Sequence, residues 1–330
     1  MSLPVITPHF KDGGIPIVFA CDNKYALFAC VAIRNIVALS SEENRYDIIV
    51  LELGLDEKRR QGILGTVAGH PHISVRFFNL TEYIRRYDLD AIHVDKRFTK
   101  EVFFPVFIPE LCREYDKVLS LDPDILIRKD VAELYRTELG DNLAGAVVDF
   151  ESCSDVWTGD PSQLRWRRYI EDDFGIPVEN FFNSGVVLFN ISQIRAENRF
   201  QNFVDALGRA VRLPDQDILN VVCKNRVTYL DPAWNVQAFA YTRENFKRLP
   251  DDRKNFFEDA RKRAALIHYT FIIKPWFHPD CTGWWALARQ TPFYEEIVSD
   301  FLLNPQRNPI KIHNAARNQV RASRVVRFPS

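Results

Sequence analysis

The chain has no cysteine pair in C-x-x-C spacing, although cysteines occur at 21, 30, 112, 153, 223 and 281. That absence excludes a zinc ribbon and a thioredoxin-type redox site, and leaves the cysteines as small, reduced, buried hydrophobes. No apolar run approaches the roughly 18 residues that a membrane span needs. The opening "MSLPVITPHFKDGG" lacks the basic flank and apolar core of a secretory signal. An excess of either charge is missing too: 43 Lys and Arg against 44 Asp and Glu leave a net charge of -1. Bulk charge therefore gives no pull toward nucleic acid or membranes. G-x-x-x-x-G-K-[ST], G-x-G-x-x-G, G-x-S-x-G and H-E-x-x-H are all absent. The phosphate loop, the dinucleotide fingerprint, the nucleophile elbow and the zincin helix go with them. These absences predict a protein made and kept in the cytoplasm.

What is present is an alternation of short apolar runs and helical patterns. "IPIVFACD" ends at Asp22 and reads as a buried strand, and "KYALFACVAIRNIVAL" follows with apolar residues at helical spacing. "YDIIVLEL" and "ISVRFFNL" predict strands on either side of a helix in "DEKRRQGILGTVAG" that Asp56 can cap. "PVFIPELCREY" predicts a helix, "KVLSLD" a strand, and "LAGAVVDF", "FNSGVVLFNI", "VTYLD" and "ALIHYT" further strands, with helical stretches such as Ser192–Leu207 between several of them. This alternation predicts an α/β fold with a mainly parallel sheet.

In such sheets ligands bind beyond the carboxyl ends of the strands. Asp22, Asp122 and Asp149 each end a predicted strand. One strand-end aspartate commonly just caps a helix or turn. Three of them, with Asp122 and Asp124 in D-x-D spacing, predict an active-site edge. Within "KVLSLDPDILIRKD" the two carboxylates repel, and burying them is costly unless a positive partner sits between them. Deleting either is therefore expected to relieve strain in the metal-free protein. An EF-hand loop is excluded, because Ile127 stands where its glycine must be. The remaining chemistry for D-x-D is chelation of a hard divalent cation, Mg²⁺ or, with a nitrogen ligand nearby, Mn²⁺. Such an ion would bridge to an anionic ligand, most naturally a diphosphate.

Five stretches, in order, resemble family 8 glycosyltransferases, whose bacterial members build lipooligosaccharide. "YDKVLSLDPDILIRKDVAELY" resembles the D-x-D region and "IPIVFACDNKYA" the first strand and uridine loop. "FFNSGVVLFNI", "LPDQDILN" and "HYTFIIKPW" resemble the family's F-N-x-G-V, D-Q-D-x-L-N and H-Y-x-G-x-x-K-P-W segments. The resemblance implies a GT-A nucleotide-diphospho-sugar transferase fold, with a Rossmann-like mixed sheet flanked by helices. It implies an N-terminal extension over 1–14, a catalytic domain over 15–300 and a basic tail over 301–330. The implied activity is retaining transfer of glucose or galactose from a UDP-sugar to a glycan or lipid-linked saccharide acceptor.

Carried over by position, Asp122, Asp124 and His268 would ligate Mn²⁺, or Mg²⁺ in its place. Asp22 and Lys24 would flank the uracil, Lys274 would contact the diphosphate, and Gly185 would lie in the donor site. Asn183, Asp215 and Gln216 would surround the transferred sugar, with Asp149 near the acceptor. Gln216 is an amide and a poor nucleophile, so the resemblance implies front-face attack by the acceptor hydroxyl. Two positions depart from the pattern. Pro105 stands where the family has an arginine that touches the donor, and Phe271 replaces the glycine after H-Y-x. These departures motivate one alternative, a non-catalytic UDP-sugar-binding relic; a second alternative, another metal-dependent nucleotide-sugar enzyme, would share the D-x-D pair. Finally, residues 304–330 carry six Lys and Arg and no acid. As a helix, Ile312, Ala316 and Val320 would lie beside Arg317, Arg321 and Arg324, predicting peripheral contact with an anionic membrane surface.

Overall fold

The computed structural model describes residues 5–11, 13–87, 89, 92, 99–158, 164–208, 212–238, 244–271 and 274–303. Ten strands occur among these residues: β1 Ile15–Ala20, β2 Tyr46–Glu52, β3 Ile73–Asn79, β4 Lys117–Leu121, β5 Ile125–Ile127, β6 Ala144–Val148, β7 Phe182–Asn190, β8 Val227–Tyr229, β9 Val236–Gln237 and β10 Leu266–His268. Seven form one sheet in the order β3-β2-β1-β4-β7-β6-β8. The β3, β2, β1 and β4 strands run parallel, as do β6 and β8; β7 alone runs antiparallel, to both β4 and β6. The sheet is thus mainly parallel, and the single antiparallel strand β7 makes it mixed, as the sequence led one to expect. Every residue of β2 and of β7 is buried, as a strand covered on both faces requires.

Alternate residues feed two cores. Ile17, Phe19, Ile48 and Val50 belong to one apolar cluster, and Val18, Ile49 and Leu51 to the other. This is the two-residue period of a strand with both faces occupied. The Tyr25–Leu39 helix supplies ten of its residues from Ala26 to Val37 to the first core. The Phe104–Leu111 and Pro214–Val222 helices supply Phe104, Phe107, Ile218 and Leu219 to the second. The expected cap holds: the Asp56 carboxylate accepts from the Arg59 N–H at 2.8 Å. The helical stretch expected over Ser192–Leu207 is broken. It forms Ile191–Ala196 and Phe200–Asp205, with Asn198 between them at φ +54. Asparagine tolerates the left-handed region better than most residues, which makes it a natural helix terminator.

A second, three-stranded sheet has the order β5-β10-β9. It starts where the chain leaves β4, so residues 122–124 form the corner between the two sheets. The N-terminal segment packs on the large sheet: Ile6 is buried, and its N–H donates to Leu111 O at 2.7 Å. The last described helix, Tyr294–Leu303, runs past residue 300. No helix among the described residues is long and apolar enough to cross a membrane. The basic tail expected to meet a membrane surface, with Ile312 to Arg324, lies outside the described residues.

Candidate active site

The corner between the sheets is where the two carboxylates stand. Asp122 follows β4 directly, and its N–H donates to Gly185 O on β7 at 2.9 Å. Asp124 directly precedes β5, and its carbonyl accepts from the Tyr269 N–H at 2.9 Å. Antiparallel pairing sets His268 opposite Ile125, which turns the imidazole toward the corner. His268 Nε2 lies 3.4 Å from Asp122 Oδ2 and 3.4 Å from Asp124 Oδ1. One ligand atom from each of the three residues falls within 4.8 Å of the others. Octahedral ligation at about 2.1 Å sets adjacent ligands about 3 Å apart, so this trio fits one hard divalent ion. Asp124 and His268 are buried, while the Asp122 side chain is 42% exposed, leaving one side of the trio open to an incoming group.

The positive partners that the sequence demanded are now visible. Burial alone would raise the Asp124 pKa, but the Lys274 ammonium, bonded to Asp124 Oδ2, and His268 outweigh it and hold the carboxyl well below its usual range. Lys274 Nζ also donates to Tyr269 O at 3.1 Å. Burial disfavours charge on His268 as well, yet hydrogen bonds to Asp122 and Asp124 push its pKa up to about 9. The other ring nitrogen, Nδ1, lies 3.1 Å from Asn235 Oδ1. An amide oxygen only accepts, so Nδ1 carries a proton and Nε2 is the atom left for a metal. Binding an ion there would displace the second proton from the ring. Gly185 shapes the same cradle: a Cβ added to it would lie 2.1 Å from His268 Cε1 and 2.8 Å from Asp122 Oδ2.

A second polar group lies alongside. Asp149 follows β6 and caps the Phe150–Trp157 helix, its Oδ1 accepting from the Ser152 N–H at 2.8 Å. Its Oδ2 accepts from Gln216 Nε2 at 2.6 Å and from Asn183 Nδ2 at 3.4 Å. Gln216 Oε1 in turn accepts from Asn183 Nδ2 at 3.1 Å and from the Ser184 N–H at 3.2 Å. These bonds fix which end of each amide faces where. Asn183 Oδ1 accepts from Asn235 Nδ2 at 2.9 Å. Asn235 therefore joins the two groups in one buried chain running His268–Asn235–Asn183–Gln216–Asp149. Asp215 is buried nearby; burial, then the Asp122 charge, push its carboxyl up to about 7 against a hydrogen bond from Ser184.

Of the residues expected at the site, Asp122, Asp124, His268, Lys274 and Gly185 meet in one cluster, and Asp149, Asn183 and Gln216 in the adjoining one. Asp22 and Lys24 stand beyond β1, next to β4. Asp22 caps the following helix, its Oδ1 accepting from the Tyr25 N–H at 2.7 Å, and Lys24 is exposed. Tyr25 ties this end to the cluster. Burial raises its pKa, and the charges of Lys274, Asp124, Asp122 and Asp22 all reach it. A cavity of about 610 Å³ opens beyond β2 and β3, lined by Leu53, Thr81, Arg85, Arg86, Tyr87 and Lys100 among others, and none of the metal trio lines it. Pro105 is buried at the start of its helix, where proline needs no N–H partner. Phe271 takes a left-handed φ of +55, a conformation that costs a non-glycine residue about 1–2 kcal/mol.

Glycosyl transferase family 8 is the family whose model matches residues 16–279. The chain belongs to that family. Its curated relatives include a lipopolysaccharide 1,3-galactosyltransferase of Salmonella typhimurium, 25% identical over 70% of this chain and 61% of that protein. A lipopolysaccharide 1,2-glucosyltransferase of Escherichia coli is 23% identical over 63% of this chain and 56% of that one. The chain thus spans about three fifths of the length of these relatives. Among solved structures, the galactosyltransferase LgtC with donor and acceptor sugar analogs superposes with a TM-score of 0.64 at 26% identity, covering 84% of this chain and 96% of that one. The WbbM bifunctional glycosyltransferase gives 0.76 at 28% identity, covering 89% and 53%. This glycosyltransferase family member has the GT-A fold.

Sequence reasoning missed Asn235, Ser184 and Tyr25. Nothing marks Asn235 in "DPAWNVQ"; only its place beside β9, paired with β10, gives it a role. Asn235→Ala is expected to weaken Mn²⁺ binding about 10–100-fold, because a ligand imidazole loses the partner that orients it. Calorimetric titration of Mn²⁺ checks this, with circular dichroism confirming that the variant folds. Unchanged affinity would separate Asn235 from the metal site.

Proposed function

We propose that this glycosyltransferase moves a hexose, glucose or galactose, from a UDP-sugar to a saccharide acceptor with retention of configuration. The observation that carries the reading is the half-open Asp122–Asp124–His268 trio, backed by Lys274 and hydrogen-bonded through Asn235 to the Gln216–Asp149 pair. Asp122, Asp124 and His268 would hold Mn²⁺, whose part when bound is that of a Lewis acid beside the diphosphate. A set of two oxygens and one nitrogen suits Mn²⁺ better than Mg²⁺.

The chain's own residues do the rest. Lys274, kept charged by Asp124, supplies a positive group for the oxygen on which charge grows as the sugar–phosphate bond breaks. Asp22 and Lys24 flank the base, and Gly185 leaves the room in which the donor lies. Asn183, Gln216 and Asp215 present amide and carboxyl oxygens to a sugar becoming oxocarbenium-like. The Asp149 carboxylate is committed to Ser152, Gln216 and Asn183, which makes it a positioning group for Gln216 rather than a free base. The acceptor hydroxyl then bonds to the anomeric carbon on the face UDP leaves, and its proton passes to the departing phosphate oxygen. A glycan or lipid-linked saccharide fits as acceptor. The basic stretch 304–330 suits a lipid-linked one, met at an anionic membrane surface.

The test needs no acceptor. Purified protein is incubated with individual UDP-hexoses with and without Mn²⁺, and UDP is measured. Slow, Mn²⁺-dependent release of UDP from at least one donor is expected. Release of inorganic diphosphate instead would overturn the reading in favour of nucleotidyl transfer, and failure to bind UDP at all would overturn it outright. Gln216→Ala is expected to lower kcat roughly 10²–10³-fold with little change in donor KM, since the oxygen it removes matters mainly in the transition state. Equal losses in kcat and in donor affinity would instead make Gln216 a ground-state binding residue.

A further inference from the structure

Every hydrogen bond in the chain from His268 to Asp149 points the same way. His268 Nδ1 donates to Asn235 Oδ1 at 3.1 Å, and Asn235 Nδ2 to Asn183 Oδ1 at 2.9 Å. Asn183 Nδ2 then donates to Gln216 Oε1 at 3.1 Å, and Gln216 Nε2 to Asp149 Oδ2 at 2.6 Å. An amide can turn end for end, so three in a row could run in either direction. Here the direction is set by groups that cannot turn. The Gly185 N–H donates to Asn183 Oδ1 at 3.1 Å, and the Ser184 N–H to Gln216 Oε1 at 3.2 Å. The Asp149 carboxylate, which only accepts, closes the far end. Asn235 has no choice left: its NH₂ must face the Asn183 oxygen, so its own oxygen faces the imidazole. All five side chains are at most 7% exposed, which shields these bonds from bulk water and strengthens them.

Resting on the assignment of Asp122, Asp124 and His268 as cation ligands, we infer that Asn235, Asn183 and Gln216 relay the Asp149 carboxylate to the His268 imidazole. Asp149 is then a positioning residue for the metal site as well as for Gln216. A metal-ligating histidine commonly gives its other N–H to a carboxylate, which fixes the tautomer and makes the ring a stronger ligand. This chain reaches its carboxylate through three amides. Each amide that donates onward becomes a better acceptor for the one before it, so the anion at the end is felt, attenuated, at Nδ1. The linkage is reciprocal. An ion held at Nε2 makes Nδ1–H a stronger donor and tightens the same bonds as far as Gln216, which is thus held most firmly when the trio is occupied.

The test is the Mn²⁺ affinity of the full-length protein, measured by calorimetry in Asp149→Asn, Asn183→Leu, Asn235→Ala and the Asp149→Asn/Asn235→Ala double variant. A side-chain amide at 149 cannot accept from Ser152, Gln216 and Asn183 together, so one donor is left facing another. Affinity is expected to fall roughly three- to tenfold in Asp149→Asn, less than in Asn235→Ala, which loses the partner next to the ring. Asn183→Leu keeps the Asp149 charge but interrupts the chain, and it should weaken Mn²⁺ at least as much as Asp149→Asn. In the double variant Asp149→Asn should cost nothing beyond Asn235→Ala, because its route to the ion is already cut. Asn190→Ala is the control. This buried asparagine ends β7 on the side away from the trio and donates to Gly140 O and Asn142 O. Its loss should lower the melting temperature and leave Mn²⁺ affinity as in the wild type. Wild-type affinity in Asp149→Asn and Asn183→Leu would overturn the relay while leaving the trio as the cation site. A loss in Asp149→Asn that recurs in full in the Asn235→Ala background would overturn it in favour of direct attraction between charges. An equal loss in Asn190→Ala would make the effect one of general stability. If Asp149→Asn does not fold, Asn183→Leu decides. Failure of the wild type to bind Mn²⁺ would overturn the trio and the relay with it.

Discussion

Asp122→Ala is expected to abolish Mn²⁺-dependent release of UDP from a UDP-hexose, by roughly a factor of 10³ or more, with the melting temperature of the metal-free protein nearly unchanged. The rate loss follows from the several kcal/mol that a bound cation supplies to a departing diphosphate, at about 1.4 kcal/mol per factor of ten. The unchanged stability follows from exposure: the Asp122 side chain is 42% exposed and its carboxylate pairs with His268, and exposed positions typically shift stability by less than about 0.5 kcal/mol. Asp124→Ala should remove the same activity but behave differently in the cold, metal-free protein. Repulsion between the two carboxylates led to the expectation that deleting either would stabilise the chain. The structure reverses this for Asp124, because Lys274 and His268 already neutralise it. Its removal leaves the Lys274 ammonium buried without a counter-charge, a loss of about 3–5 kcal/mol. Thermal melts with and without Mn²⁺ and UDP, beside a UDP-release assay, measure both. Ligand stabilisation that survives in either variant would sink the metal assignment, and an Asp124→Ala melting temperature equal to that of Asp122→Ala would sink the charge argument.

The difference between these two aspartates shows what sequence could and could not reveal. Both carboxylates, His268 and Lys274 were legible, because each lies in a stretch whose residue types and order are distinctive. Their pairing was not. Asp124 and Lys274 are 150 positions apart and meet only because β10 pairs with β5. The large sheet was legible for a simple reason: strands buried on both faces read as unbroken apolar runs. The small sheet escaped notice because strands of two or three residues, such as β9 and β5, carry no periodicity. Yet that small sheet is what brings Asn235 beside His268. Phe271 illustrates the converse. As a sequence feature it was a departure from a family pattern; its left-handed backbone shows that the turn kept the conformation glycine would favour and took on a ring as well. Strand-end position marked Asp149 as part of an active-site edge but could not show its partners, Ser152, Gln216 and Asn183, which make its carboxylate a hydrogen-bond hub.

Gly185 tests the site from its backbone side. It lies in β7, the strand buried along its whole length, and its carbonyl holds the Asp122 N–H. A methyl group in place of its hydrogen would meet His268 Cε1 at 2.1 Å, His268 Nδ1 at 2.7 Å and Asp122 Oδ2 at 2.8 Å. Contacts this short force the imidazole or the Asp122 carboxylate to move, and either motion breaks up the trio. Gly185→Ala is therefore expected to weaken Mn²⁺ binding at least about 100-fold, comparable to losing a ligand's support altogether, and to cost about 1–3 kcal/mol of stability through overpacking. Gly145 on β6 is the control. A Cβ there meets Leu139 Cδ2 at 2.7 Å and Leu230 Cδ2 at 3.2 Å, apolar atoms with no part in the trio. Gly145→Ala should lose a similar amount of stability and keep its Mn²⁺ affinity. Titrating free Mn²⁺ by electron paramagnetic resonance against both folded variants decides the matter. Retained affinity in Gly185→Ala, or an equal loss in both, would mean that the open space at Gly185 serves packing and not the ion.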